Sequence, residues 1–224
     1  MVPVVLKCGN APLPLALRSL DVLNVPALPD KDDFDEAFAK IETSERPRLI
    51  VVGDDAALAA ALTRLMRTDR LHVELAYVAE ERTDATHAYG LRTGSKAAAI
   101  AVSGVARPIP LIRDDAGIAL VGEARIYGSE HAGELVGEAY VDDARLFSGT
   151  VPGMRIVPTP ELPGLRATVD KRRWFGGHRW LTGRAVQLGS PAAVLTRDGV
   201  RTPRPVKRST FYRHDQDWLL VYGS

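Results

Sequence analysis

The residues best suited to chemistry are carboxylates that stand in pairs or beside glycine. Asp pairs occupy positions 54–55, 114–115 and 142–143, and Asp198 precedes Gly199. Carboxylate oxygens can cap a helix, bind Mg²⁺ or Ca²⁺, or act as general acids and bases. Acidic pairs at strand ends are most often solvated turns, and Asp-Gly between strands is typical of a type I′ hairpin turn. We therefore predict no metal site.

A basic stretch with interleaved aromatic residues lies at positions 171–180. It contains four cations that could contact an anionic ligand, Lys171, Arg172, Arg173 and Arg179, and three aromatic residues around a Gly-Gly pair. Phosphate-bearing lipid head groups attract each nearby basic residue by about 1 kcal/mol, and nucleic-acid phosphates attract the same side chains. The competing interpretation is a hairpin whose Trp rings pack on a sheet while Arg stems cover them.

The composition is that of an ordinary globular chain. The 224 residues are 46% hydrophobic and 25% charged, and their length suits two small domains. The single cysteine, Cys8, excludes an internal disulfide, and the five His show neither a metal-ligand spacing nor a catalytic triad. No apolar stretch is long enough to span a membrane, and the apolar start is interrupted too early for a signal peptide. We expect a cytoplasmic protein.

Charge is divided unevenly along the chain. Positions 165–224 contain 12 Lys and Arg against four Asp, a net charge of +8, whereas the whole chain has a formal net charge of +1. A segment this basic is suited to anionic partners. A peripheral position at the inner face of the membrane and a nucleic-acid-associated role for positions 171–213 are therefore alternatives to consider.

The first half of the chain has the pattern of alternating strands and helices. The β-branched run at 47–53 predicts a buried parallel strand, and the Ala- and Leu-rich run at 56–66 predicts a helix capped by Asp54 or Asp55. An amphipathic helix over 32–41 and a strand over 72–78 complete a small βαβ-type unit. We predict a small Rossmann-like α/β domain with a parallel sheet over residues 1–95.

The second half consists of short apolar runs separated by Gly and Pro, which is typical of β-sandwiches and barrels. The predicted strands cover 98–102, 107–112, 118–127, 138–141, 154–158, 165–169, 183–188, 193–196, 206–212 and 218–222. We predict an all-β sandwich domain over residues 96–224.

Four segments carry a resemblance to a known family. Segment 51–58 is a strand, a turn and a helix start, and segments 183–187, 197–200 and 218–221 are a strand, an Asp-Gly turn and a closing strand. In this order they resemble the phosphate-binding turn, Gly-Gly-Asp-Gly-Thr, and the sandwich strands of the diacylglycerol kinase catalytic-domain family and the bacterial lipid kinases. The resemblance runs from about residue 48 onward. It implies a shortened member with a lipid-kinase-like two-domain architecture.

The turn departs from the family's pattern at three positions. Gly53 and Asp55 match, whereas Asp54, Ala56 and Ala57 stand in place of two glycines and a threonine. Glycines let the backbone approach nucleotide phosphates closely. A carboxylate at Asp54 adds negative charge there, and two unit charges about 4 Å apart repel by roughly 4 kcal/mol at an effective dielectric near 20. These five residues are therefore predicted to be a vestigial phosphate-binding turn.

Two further departures concern the nucleotide wall and the general base. The family has a Gly-Thr-rich turn after the next strand, but segment 78–86 contains no Gly and three acids. The resemblance implies that the Glu of the family's Asp-Gly-Glu turn is the general base, and Val200 occupies its position here. An aliphatic side chain cannot accept a proton. We predict no catalytic residue.

These losses predict a pseudokinase with a binding or regulatory role and no cofactor. The expected partner is an anionic lipid or another phosphorylated ligand, nucleic acid is not expected, and a homo-oligomer is left open. The alternative is an active ATP-dependent lipid kinase that uses Mg·ATP, in which Asp55 or Asp198 has taken over the role of the base.

Overall fold

The computed structural model describes residues 3–41, 44–129, 133–171 and 179–223. The chain forms two compact units. Unit 1 is Met1–Ile109 with Gln216–Ser224, and unit 2 is Pro110–Asp215. This division differs from the predicted boundary between residues 95 and 96, because a helix, a strand and the last strand of the chain all belong to unit 1.

The described part of unit 1 is built on a six-stranded sheet. Its strands are β1 (Val4–Cys8), β2 (Asp21–Val25), β3 (Arg48–Val52), β4 (Glu74–Val78), β5 (Val105–Ile109) and, at the end of the chain, β17 (Trp218–Tyr222). They lie in the order β2-β1-β3-β4-β17-β5, and all except β5 run parallel. Every residue of β3 is buried, as a central strand of a parallel sheet requires.

Four α-helices accompany this sheet in the described part of the chain. They are α1 (Lys31–Ile41), α2 (Asp55–Arg67), α3 (Asp84–Ala88) and α4 (Gly94–Ser103), and a short 3₁₀ helix covers Leu15–Leu17. None of the described helices is long and apolar enough to cross a membrane. The predicted helices and strands of the first half are confirmed. The helices bury apolar residues at helical spacing, and β3 buries its continuous apolar run.

Two predictions about the sheet of unit 1 are wrong. The segment predicted as a strand over 98–102 lies inside α4, where Ala97, Ala98 and Ala101 are buried in the core of the unit. The closing segment is a strand, as predicted, but it is not part of the second unit. As β17 it lies between β4 and β5, parallel to the first and antiparallel to the second.

Over the residues that the structure describes, unit 2 is an antiparallel sheet of eleven strands. They are β6 (Ile112–Asp114), β7 (Ala119–Leu120), β8 (Ala124–Gly128), β9 (Leu135–Val141), β10 (Ala144–Val151), β11 (Met154–Pro158), β12 (Leu165–Val169), β13 (Leu181–Gly183), β14 (Ala185–Arg197), β15 (Val200–Arg201) and β16 (Val206–Arg213). Eight lie in the order β13-β12-β11-β8-β14-β16-β6-β7, while β9 pairs with β14 and β10, and β15 pairs with β14.

The core of unit 2 is formed by the apolar residues that alternate along these strands, among them Ile126, Ile156 and Phe211. The strands predicted at 154–158 and 165–169 have the predicted bounds. Those predicted at 183–188 and 193–196 are one long strand, β14, with an irregularity between Gly189 and Ala193. The predicted fold class, a parallel α/β unit followed by an all-β unit, is confirmed.

Arg48, the first residue of β3, connects the sheet to α4. Its buried guanidinium donates from Nε to Glu74 (2.7 Å), from Nη1 to the carbonyl oxygens of Ala101 and Val102 (2.8 and 3.1 Å), and from Nη2 to that of Gly104 (2.9 Å). The last carbonyls of a helix have no donor within the helix. Arg48 therefore caps the carboxyl end of α4.

Replacing Arg48 with Met should lower the free energy of unfolding by about 3 kcal/mol, because Glu74 and three carbonyls lose their donor. Urea titration measures this change. Lys40→Met is the matched control: it breaks an exposed ion pair with Asp21 and should leave the free energy nearly unchanged. Equal losses in the two variants would contradict the capping role of Arg48.

Candidate functional site

Three neighbouring parallel strands end at the same edge of the sheet in unit 1. They are β1, β3 and β4, which end at Cys8, Val52 and Val78. We call this the carboxyl edge of unit 1, including the segments that follow the three strands. Ligands of open parallel α/β sheets bind outside the carboxyl ends of the strands. The predicted vestigial phosphate-binding turn, residues 53–57, lies at this edge.

Gly53 begins this turn in tight packing. Its N–H donates to the carbonyl of Val78 (3.3 Å). A Cβ atom at Gly53 would lie 3.0 Å from the Cβ of Cys8 and 3.2 Å from that of Ala57, closer than ordinary contacts between side chains. The side chains of Cys8 and Ala57 already fill the space beside this glycine. Packing within the turn therefore explains why glycine, which has no side chain, stands at position 53.

Asp54 is the N-cap of α2. Its backbone is extended, and its carboxylate accepts a hydrogen bond from the N–H of Ala57 at 2.9 Å. Of the two cap residues that the sequence suggested, Asp54 is the one used. The exposed carboxylate of Asp54 thus covers the first turn of α2. The free N–H groups of a first helical turn are the groups that attract an anion. Ala56 is half-buried and Ala57 is buried within the same turn.

Asp55 connects three elements of unit 1. Its carboxylate accepts a hydrogen bond from the hydroxyl of Tyr77 in β4 (2.9 Å) and another from the N–H of Ala85 in α3 (3.0 Å). Burial and the adjacent Asp55 carboxylate raise the pKa of Tyr77, so its hydroxyl keeps its proton and acts as the donor. Asp55, the acid that matches the family's turn, therefore holds β4 and the start of α3 beside α2.

The segment predicted as the second nucleotide wall, 78–86, leads into α3. Thr83 and Thr86 form a capping box, in which each backbone N–H donates to the other side chain (2.7 and 3.1 Å). The first turn of α4 also reaches the carboxyl edge, because the N–H of Gly94 donates to the carbonyl of Ala79 at 2.8 Å. The sequence prediction missed Gly94, although Thr93 and Gly94 before an Ala-rich run are a helix-start signal.

Asp198, one of the two bases suggested for an active kinase, accepts hydrogen bonds from the backbone. Its side chain is buried and accepts from the N–H groups of Val121 (3.1 Å), Gly122 (2.7 Å) and Glu123 (3.2 Å). Both Asp198 and Gly199 have positive φ (46° and 81°), which confirms the predicted type I′ turn between β14 and β15. Val200 follows on β15 with an exposed side chain.

One aspartate from each of the pairs at 114–115 and 142–143 is also used within the fold. The carboxylate of Asp142 accepts from the N–H groups of Arg184 and Ala185 at 2.9–3.0 Å. Buried Asp114 pairs with Arg197 and accepts from the N–H of Ile118 (2.9 Å). Over residues 3–41, 44–129, 133–171 and 179–223, no group of three His, Cys, Asp or Glu is placed to hold a metal ion.

The basic stretch is described only at its ends, since Arg172 and Arg173 lie outside the described residues. Lys171 and Arg179 are exposed and line one cavity of about 220 Å³ beside the end of β12, the start of β13 and Leu146 of β10. Trp180 follows, with the guanidinium groups of Arg166 and Arg155 at 4.5 and 5.6 Å from its ring centre. Trp180 is thus covered by Arg side chains, as the hairpin interpretation expects.

No protein-family model matches the chain, and no curated protein matches it. Among solved structures, it is similar to a putative diacylglycerol kinase from Bacillus anthracis, with a TM-score of 0.73 and 11% identity over 99% of this chain and 96% of that one. It is also similar to an NAD kinase from Archaeoglobus fulgidus in complex with ATP (TM-score 0.58, 11% identity, 99% and 94% of the two chains). A third similar structure is yeast NADH kinase complexed with NADH, with a TM-score of 0.57 and 10% identity over 99% of this chain and 83% of that one.

These similarities establish the fold. The protein has the two-unit fold of diacylglycerol and NAD kinases, with a parallel α/β unit and a large antiparallel unit. The kinase-like architecture that the sequence suggested is confirmed. Because proteins named for a lipid and for nicotinamide nucleotides share this fold, the fold by itself does not select a substrate.

Replacing Asp198 with Asn should lower the free energy of unfolding of unit 2 by about 2 kcal/mol, because an amide group replaces the charged acceptor of three N–H groups. Asn tolerates the positive φ of the turn, so backbone strain does not confuse the result. Urea titration would compare this variant with Asp143→Asn, an exposed turn residue that should have little effect. Wild-type stability of Asp198→Asn would contradict the structural role.

The Cys8 thiol tests the packing beneath Gly53. Burial, assisted by the carboxylates of Asp54 and Asp33, raises the pKa of Cys8 to about 12. Only the thiolate reacts with disulfide reagents. At pH 8 the native protein should therefore react with such a reagent at least about 100-fold more slowly than the urea-unfolded chain. Similar rates in the two states would contradict a packed turn.

Proposed function

We propose that this protein is a lipid-kinase-like binding or regulatory protein that has lost phosphoryl transfer. The observation that carries the proposal is the hydrogen bond from the N–H of Ala57 to the carboxylate of Asp54. A triphosphate bound in the manner of the family's turn would need that N–H as a donor and would meet the carboxylate's negative charge. The chain itself thus supplies the anion that caps α2.

The structural use of the two candidate bases supports the same proposal. A general base must reach the substrate's proton. Asp55 accepts from Tyr77 and Ala85, and Asp198 accepts from three backbone N–H groups, so the fold holds each carboxylate in a fixed position. Val200 has no titratable group. An active ATP-dependent lipid kinase using Mg·ATP, the alternative, would have to use one of these carboxylates while it keeps its partners within the fold.

The ligand we propose for unit 2 is an anionic lipid or another phosphorylated molecule. Two of the four predicted contacts, Lys171 and Arg179, line the same cavity at the end of β12, which brings two cations to one site for a phosphate group. A cytoplasmic protein with such a ligand could associate with the inner face of the membrane. Arg172 and Arg173 stay predictions, as does a homo-oligomer.

Thermal unfolding in the presence of Mg·ATP or ADP tests the proposal. A ligand that binds only the folded state must raise the Tm, by the equivalent of about 2.7 kcal/mol at a hundredfold excess over Kd. We expect no rise in Tm for the wild-type protein at millimolar nucleotide. A saturable rise would favour the active-kinase alternative.

Asp54→Ser isolates the contribution of the charge, because serine keeps a capping oxygen and removes the carboxylate. If the rest of the turn can still accept phosphate, this variant gains a nucleotide-dependent rise in Tm. Asp30→Ser is the matched control, since Asp30 accepts from the N–H groups of Asp32 and Asp33 at the start of α1, outside the turn. Asp30→Ser should respond to nucleotide as the wild type does.

A further inference from the structure

The carboxyl edge of unit 1 contains a cavity that the 53–57 turn does not line. Its volume is about 480 Å³, within the range of small-molecule sites. One wall is the segment 11–16, which connects β1 to the 3₁₀ helix and then to β2. The other walls are the ends of β3 and β4 at Val52 and Val78 and the first turn of α4.

The walls of this cavity are almost entirely apolar. Segment 11–16 reads Ala-Pro-Leu-Pro-Leu-Ala, and the strand ends contribute Val52, Val78 and Ala79. Leu15 has 78% of its surface exposed, although it belongs to the wall. Burying such a side chain against a ligand is favourable, at about 25 cal/mol per Å² of apolar surface removed from water. The two prolines restrict the backbone of this wall and lower the entropy cost of ordering it.

One carboxylate, Glu80, is the single charged group among the residues that line the cavity. It is exposed, and Glu81 beside it in sequence is exposed as well. Lys96 follows Ser95 in α4 but does not line the cavity. A ligand with an apolar body and an anionic head would bring like charges together here, whereas a protonated amine would pair with Glu80.

We propose that this cavity binds a small amphiphilic amine, with the apolar part against segment 11–16 and the ammonium group at Glu80. This inference rests on the proposed function in one respect: it requires that no nucleotide occupies the carboxyl edge. It assigns unit 1 a ligand of opposite charge to the one proposed for unit 2.

The test compares three ligands with the same chain length, n-hexylamine, 1-hexanol and hexanoate, in titrations of the ¹⁵N-labelled full chain followed by NMR. We expect saturable shifts of the backbone N–H signals of Leu13, Ala79 and Ser95. Hexylamine should bind at least about threefold more tightly than hexanol, the effect of one exposed ion pair, and hexanoate should bind most weakly.

Glu80→Gln should abolish the difference between hexylamine and hexanol, while Glu81→Gln, the matched control, should retain it. Ser95→Trp places a large ring at the first turn of α4 and should weaken all three ligands. Equal affinities in the wild type, tightest binding of hexanoate, or no saturable shift at these three amides would each overturn the amine site.

Failure of this site and failure of the proposed function give different results. If Mg·ATP raises the Tm while hexylamine still shows its Glu80-dependent preference, the proposed loss of nucleotide binding is wrong and the amine site stands. If hexylamine shows no preference, the amine site is wrong whatever nucleotide does.

Discussion

Backbone N–H groups at helix starts, strand ends and turns need acceptors, because leaving them unpaired inside a protein costs about as much as losing a hydrogen bond. In this protein aspartate carboxylates meet that need at the positions best suited to chemistry. Asp54 caps α2, Asp55 holds the start of α3, and Asp198 holds three consecutive N–H groups beside β8. Each of these carboxylates therefore fixes backbone geometry within the fold.

The parts of the fold that depend on local sequence could be predicted. The first helices and strands follow from apolar periodicity, the cap of α2 from an Asp before an Ala-rich run, and the type I′ turn from Asp198-Gly199. One wrong assignment is local: the apolar run over 98–102 was predicted as a strand and is part of α4, because a short apolar run does not distinguish the two by periodicity. The other concerns placement among distant segments. The apolar run of β17 suits either unit, and only its pairing with β4 and β5 decides between them. Strand β10, exposed at most positions, has no apolar alternation to reveal it.

The 53–57 turn lies at the carboxyl edge of unit 1, and the cap by Asp54 is a local contact that the sequence predicts. The partners of Asp55 and Asp198, in contrast, lie far along the chain. Tyr77 is 22 residues from Asp55, and Val121 is 77 residues from Asp198. The cavity at the carboxyl edge is assembled from four separated segments, so no local motif could indicate it. Contacts between residues that are far apart in sequence depend on how the strands and helices are arranged in the completed fold. A local sequence pattern does not show that arrangement.

The proposed function and the amine site together describe a kinase fold whose two units have different ligands. In unit 1 the carboxylate of Asp54 caps α2, and the cavity at the carboxyl edge is mostly apolar. In unit 2 two exposed cations, Lys171 and Arg179, line a small cavity. A fold does not by itself fix a function, so one fold can hold different ligands.

The amide signal of Ala57 tests the central claim most directly, because this N–H is the group that Asp54 and a nucleotide phosphate would both need. In a titration of the ¹⁵N-labelled wild-type chain with Mg·ATP to millimolar concentration, we predict no saturable shift of that signal. A saturable shift at Ala57, with neighbouring shifts at Gly53 and Asp54, would contradict the proposal and show that the turn still binds phosphate.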